Sequence, residues 1–269
     1  MTHVHGVDHA LVGVRDLEGA CATWRALGFT LSPRGRHIGW GTGNYCIMFP
    51  NDYIELLGVV DPSGDLRGLD AMLQDGDGLL GLAFAGADID AVFADLQRAD
   101  LAGDPPVDLG RYLDLPGGAV TASFRLVHPR NPGGDFGFKT FTCKHLTPDI
   151  VWRPDWLAHA NTARGIAAIT ATVQSVDAVV PAYRALLGAE AVQVDGDGAG
   201  AVIQAGRASL RLVATDDPRG LIGLGLAVAD LTAAQACLQS AAIPFERDGD
   251  GLHIRPEHTT GVALSLVPL

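Results

Sequence analysis

The strongest constraint on this chain is that it repeats itself. "VGVRDLEGACATWRALG" (Val12–Gly28) aligns with "ATVQSVDAVVPAYRALLG" (Ala171–Gly188), so that Val14 falls on Val173, Trp24 on Tyr183, Arg25 on Arg184 and Ala26 on Ala185. Two fainter copies resemble each other: "AGADIDAVFADLQRA", from Ala85, and "AVADLTAAQACLQSA", from Ala227. Each copy is an alternating apolar run followed by a helix-period run. Asp16 and Ser175 stand where an N-cap belongs, and Gly28 and Gly188 stand at the stop. A repeat of this kind is one supersecondary unit that stacks on its own copies.

Shorter β-like runs follow each helix, separated by turn signals. After the first they are expected near Thr30–Leu31, Tyr45–Phe49 and Tyr53–Val59. After the third come "EAVQV", "GAVIQ" and "ASLRLVA", with Asp195–Gly198 as a hairpin turn; the fourth ends in "LHIRP" and "VALSLVPL". The unit is therefore βαβββ, expected four times, over residues 6–58, 78–147, 165–215 and 220–268. A short helix is expected at Leu69–Gln74 between the first two units. The fold class is α+β, with an N-terminal pair of units over 1–147, an ordered Pro- and Trp-bearing connector over 148–164, and a C-terminal pair over 165–269.

Composition narrows the partners. The 269 residues are 48% hydrophobic and 19% charged, enough apolar surface for a sizeable core. A net charge of −12 disfavours nucleic acid and anionic membrane, leaving a small-molecule ligand as the expected partner. Cys21, Cys46, Cys143 and Cys237 form no CxxC pair and read as buried thiols in a reducing compartment. No basic stretch leads into an apolar run at the start, and no apolar run reaches membrane-span length, so a cytoplasmic location is expected. Two paired domains in one chain imply a monomer or a homodimer.

Within this frame, Glu55 is out of place. It sits between Ile54 and Leu56 in "YIELL", which has no basic neighbour. A carboxylate on an internal strand is costly unless it is paired or metal-bound. Alternation also permits a register in which it points to solvent. Upstream, "GRHIGWGTGN" offers His37 for general acid/base work, Arg36 for a carboxylate or phosphate, Trp40 for stacking and Asn44 as donor and acceptor. The alternative is that Gly35, Gly39, Gly41 and Gly43 only mark tight turns and Trp40 fills core. "GWGTG" lacks the GKS/T ending and the strand-to-helix context of a phosphate loop.

Four βαβββ units in two pairs, together with "VDHALVGVRDLEGACATWRALGF", "GRHIGWGTGNYCIMF", "YIELLG" and "HLTPDIVWRP", resemble the vicinal oxygen chelate superfamily, and within it the glyoxalase-like domain proteins. That superfamily includes glyoxalase I, extradiol dioxygenases, and fosfomycin- and bleomycin-resistance proteins. The resemblance is specific over the first 165 residues or so; beyond them only the helix-and-strand pattern carries it. It implies that two units pair into a cupped mixed sheet holding a divalent ion (Fe, Mn, Zn, Ni or Mg), with ligands from first and last strands.

His9 and Glu55 match such ligand positions. In the second unit, the alignment of Asp16 with Asp88 puts Gly81 where His9 stands, and the last strand offers Cys143 and His145 on one side. His145 completes the expected set of two histidines and a carboxylate, with His37 and Cys143 as rivals. In the C-terminal pair Ala168 and Gly223 replace His9, and Arg211 and Ser265 replace Glu55, so that pair reads as degenerate. Trp152 and Trp156 are expected to cover the cup or a domain seam. The resemblance implies a metal-dependent enzyme acting on a small oxygenated metabolite by lyase, isomerase or dioxygenase chemistry. The alternative is a metal-free sequestering protein of the bleomycin-resistance type.

Overall fold

The computed structural model of the protein describes residues 2–115, 117–249 and 251–269. The first unit is β1 (Val4–Gly13), α1 (Leu17–Ala26), β2 (Gly35–His37), β3 (Thr42–Met48) and β4 (Tyr53–Val59). After the single turn α2 (Leu69–Met72), the second is β5 (Gly78–Gly86), α3 (Ile89–Arg98), β6 (Val107–Leu115), β7 (Gly118–Val127), the short α4 (Pro132–Asp135) and β8 (Lys139–His145). The connector carries α5 (Pro148–Val151). The third unit is β9 (Ala163–Val173), α6 (Val176–Leu187), β10 (Val192–Val194), β11 (Gly200–Ala205) and β12 (Ala208–Ala214). The fourth is β13 (Gly220–Val228), α7 (Leu231–Ser240), β14 (Glu246–Asp248), β15 (Gly251–Ile254) and β16 (Ala263–Pro268).

Local chemistry sets these boundaries. Asp16 caps α1 by accepting from the Gly19 N–H, and Ser175 caps α6 through Ala178 N–H. Gly28 follows α1 at φ +91°, a conformation most side chains avoid. The strand expected at Thr30–Leu31 is not formed. Ser32 makes one backbone bond to Cys46 O, and Pro33 then interrupts the ladder because it has no N–H, so β2 begins at Gly35.

In each pair the two first strands run antiparallel at the centre, β1 on β5 and β9 on β13, and the last strand of each unit lies parallel beside its first. The two halves differ at the far edges. In the N-terminal half β2 pairs with β6, closing an eight-stranded barrel in the order β1-β4-β3-β2-β6-β7-β8-β5. In the C-terminal half the eight strands, β10-β11-β12-β9-β13-β16-β15-β14, stay an open sheet.

Helices and outer sheet faces from both halves share one continuous apolar core. Trp24 and Tyr183, matched by the repeat, each reach into the opposite half. Trp24 Nε1 donates to Thr260 Oγ1 at 2.9 Å, and Tyr183 Oη donates to Phe136 O at 2.9 Å. A second apolar cluster lines the inside of the barrel and extends to Val151 and Trp156 of the connector. Trp152 fastens the connector to the barrel by donating to Phe49 O at 2.9 Å. No described helix is long and apolar enough to cross a membrane.

Asp52, just before β4, is buried and accepts from the Ile166 N–H at 2.9 Å, tying the barrel to β9. Burial pushes its carboxyl up to about 7, against the pull of that N–H. An acid whose folded-state pKa lies above its unfolded value of 3.8 binds more protons when folded, so this group costs stability as pH rises from about 4 to 7. Asp52→Asn keeps an acceptor for Ile166 and removes the titration. The melting temperature of this variant minus that of wild type should grow from pH 5 to pH 8; a difference independent of pH would refute the assignment.

Candidate metal centre in the N-terminal barrel

The site is built from strand register. The pairing of β1 with β5 slips between Val7 and His9, leaving Asp8 as a bulged residue. Asp8 and His9 are both buried as a result, with His9 lining the barrel cavity and Asp8 directly behind it. Along β4, Tyr53, Glu55 and Leu57 face the cavity while Ile54 and Leu56 join the outer core. Glu55 therefore points inward. Closure of the barrel adds the last elements: His37 on β2 lies opposite Arg111 on β6, and both line the same cavity of about 710 Å³.

Glu55 lies between two imidazoles. Its Oε2 is 3.4 Å from His9 Nε2 and its Oε1 is 3.6 Å from His37 Nε2. Each ring is anchored by its other nitrogen: His9 Nδ1 is 2.6 Å from Asp8 Oδ1, and His37 Nδ1 is 2.9 Å from Thr42 Oγ1. The Asn44 amide donates to Glu55 Oε1 at 2.5 Å. His9 is also stacked on Tyr53, with ring centroids 4.4 Å apart.

The protonation states suit donors. Burial raises the Glu55 carboxyl, but His9, His37, Asn44 and Arg111 outweigh it and the net shift is downward, so Glu55 is a carboxylate. Burial brings His37 down to about 4, leaving a neutral imidazole near pH 7. Burial also raises Asp8, yet His145 and His9 bring it down to about 2.

The structure brings His9, Glu55, His37 and Asn44 together and separates His145 and Arg36 from them. The reason for His145 is register: Leu11 pairs with Glu55 on β4, and the equivalent Ala83 pairs with Phe141 on β8. Phe141 thus stands where Glu55 does, and His145 lies four residues further along. Its Nε2 is 3.2 Å from Asp8 Oδ1, its Nδ1 is buried with no partner, and Phe124 and Trp152 pack against its ring. Asp8, Cys143 and His145 form a compact group whose possible ligand atoms lie within 4.8 Å of one another. Burial holds the Cys143 thiol well above its ordinary value.

Arg36 turns outward and lies 3.8 Å from Asp114. Trp40 is half-buried at the rim, its ring 5.4 Å from that of His37, so it is not core filling. Sequence reasoning passed over Asp8, Thr42 and Arg111. Arg111 carried a signal: in "LGRYL" it shares the period-two face of Leu109 and Leu113, the buried face of β6. Asp8 carried none, because its place behind His9 comes from the bulge.

The C-terminal sheet has no such centre. Register places Arg211 opposite Thr170 and Ser265 opposite Gly225, the positions equivalent to Glu55. Arg211 pairs with Asp195, and Ser265 Oγ is 2.9 Å from His253 Nδ1. Among the described residues no group of three His, Cys, Asp or Glu donors occurs there.

A barrel of paired βαβββ units with an inward carboxylate flanked by imidazoles defines the class of protein. The model of the glyoxalase-like domain family matches residues 7–187, more than half of the chain. The chain belongs to that family. No curated protein matches its sequence.

Solved structures share the fold over nearly the whole chain. A hypothetical protein from Staphylococcus aureus superposes with a TM-score of 0.71 at 14% identity, covering 98% of this chain and 99% of the other. A triple mutant of 4-hydroxymandelate synthase from Streptomyces coelicolor gives 0.63 at 12% identity, covering 99% and 92%. A fusion of a xylose isomerase-like TIM barrel with 4-hydroxyphenylpyruvate dioxygenase gives 0.58 at 13% identity, covering 98% of this chain and 48% of that one.

Gly35 makes room for this arrangement. A Cβ there would collide with Asn44 Oδ1 and come within 2.8 Å of Arg111 Cδ. Gly35→Ala should cost about 1–3 kcal/mol by overpacking. Urea unfolding checks this; an unchanged midpoint would mean that Asn44 and Arg111 are not held against β2.

Proposed function

We propose that the chain is a metal-dependent enzyme of the vicinal oxygen chelate type, acting on a small oxygenated metabolite by lyase, isomerase or dioxygenase chemistry. A divalent ion would be held by His9, Glu55 and His37. One arrangement supports this: two imidazoles, each anchored through Nδ1, present Nε2 to opposite oxygens of one buried carboxylate. Two histidines and a carboxylate are a known donor set for ions that keep open positions. An ion bound there supplies Lewis acidity to an oxygen of the substrate.

The chain's own residues do the rest. Asp8, by accepting from His9 Nδ1–H, leaves His9 Nε2 as the free lone pair, a supporting role typical of carboxylates behind metal-binding histidines. Thr42 does the same for His37. His145 braces Asp8 from the other side. The apolar wall, Leu11, Phe124 and Phe141 among it, excludes water from the bound molecule. The Asp8–Cys143–His145 group is the rival ion site, but burial keeps its Cys143 a neutral thiol, a poorer donor than an imidazole or a carboxylate.

Elemental analysis of protein purified without an affinity tag should find one divalent ion per chain. Glu55→Gln and His37→Ala should lose it, and Cys143→Ser should keep it. Asp8→Asn should weaken affinity about 10–100-fold. Loss in Cys143→Ser with retention in His37→Ala would move the ion to the rival group. If no ion binds under any loading condition, the protein is instead a metal-free binder of small molecules.

A further inference from the structure

Arg111 is a buried cation that acts on Glu55 only from a distance and has no direct ion-pair partner among the described residues. It is only 2% exposed, on the inner face of β6. Among the described residues no carboxylate lies within ion-pairing distance, 4.0 Å, of it. Its Nη1 donates to Cys46 Sγ at 3.0 Å, a weak acceptor, and its Nε is buried with no partner. Burial raises the Cys46 thiol, so it stays neutral and offers no compensating charge. The guanidinium carbon stands 5.3 Å from the Phe124 ring centroid, a contact that orients the fork but does not neutralise it.

The other charges of the cavity are accounted for, with two exceptions, one of them Asp104, an exposed carboxylate at the rim. Glu55 is shared among His9, His37 and Asn44. At the rim, Arg67 pairs with Asp65 and Arg130 with Asp100. The other exception is Lys139, half-buried on β8, which donates to Met72 Sδ at 3.7 Å, a weak acceptor. Among the described residues neither Arg111 nor Lys139 has a carboxylate within ion-pairing distance, though both feel Glu55 from further off, and most of the remaining wall is apolar. A buried guanidinium left in this state is costly; its planar fork matches a carboxylate with two parallel hydrogen bonds.

We propose that the cavity selects a small carboxylic acid with an apolar tail, its carboxylate received by Arg111 and its tail lying against Leu109, Leu126 and Phe141. This inference rests on reading the barrel cavity as the small-molecule site. A volume of about 710 Å³ is in the range of pockets that enclose a whole small ligand. Lys139 adds long-range attraction for the acid.

The test uses the full chain, once loaded with divalent ion and once treated with chelator. Calorimetry compares butanoate to octanoate, their 2-hydroxy and phenyl-substituted forms, the matching primary amides, and alkyl phosphates of equal chain length. At least one acid should bind wild type about tenfold or more tightly than its amide. Arg111→Gln should bring that ratio close to one, and Arg111→Lys should retain part of it. If Arg111→Gln does not fold, the wild-type ratio and Arg111→Lys decide.

Equal binding of acid and amide, binding of no acid in either form, tighter binding of the phosphates, or a ratio that survives in folded Arg111→Gln would each overturn the proposal. Ion content is measured separately. Protein that never takes up an ion but prefers acids would sink the metal reading alone. Ion-loaded protein with no acid preference would sink this inference alone.

Discussion

A carboxylate inside a closed barrel is the interaction on which the rest of the site depends. Glu55 is buried, with little exposure to bulk water, so the surrounding strands must supply much of what water would. His9 comes from β1, His37 from β2, Asn44 from β3 and the field of Arg111 from β6. No two of these come from one strand. The carboxylate is satisfied only if the bulge at Asp8, the register of β3 on β4 and the β2–β6 closure all hold together. The missing side chain of Gly35 belongs to the same constraint, since Asn44 and Arg111 occupy the space a Cβ would take.

The duplicated unit has been put to two uses. In the N-terminal half two copies close a barrel around a cavity. In the C-terminal half two copies leave an open sheet, and the positions equivalent to Glu55 carry Arg211 and Ser265, tied up by Asp195 and His253. The helices of both halves meet in one core, where Trp24 and Tyr183, equivalent by the repeat, each hydrogen-bond across the seam. The C-terminal pair thus braces the outside of the barrel, in part through the Asp52–Ile166 contact at the entry to β4.

Much of this was legible from the residues alone. The repeat, the caps at Asp16 and Ser175 and the alternation of the strands led to the βαβββ units, and the resemblance to the glyoxalase-like proteins implied His9 and Glu55 as partners. The loss of ligands in the C-terminal half followed from simple alignment, and ladder register supports each correspondence. Other features did not follow. Arg36 and Arg111 both stand in strands, yet only Arg111 lines the barrel cavity. A three-residue strand gives alternation too little length to show which side faces in, whereas β6 is long enough to have shown it.

The sequence by itself determined the unit, its fourfold repetition and the presence of a carboxylate that needs partners, because these are set by local periodicity and by the cost of burying charge. Only the tertiary structure decided which partners it has. His37 and His145 are both strand-end histidines in copies of the same unit. What separates them is the pairing of β2 with β6, between residues some 70 positions apart, and the one-residue slip at Asp8. The first turns His37 toward Glu55; the second puts Asp8 between His9 and His145. Neither event leaves a trace in local composition, because strand pairing between distant segments and register slips depend on the whole barrel closing at once.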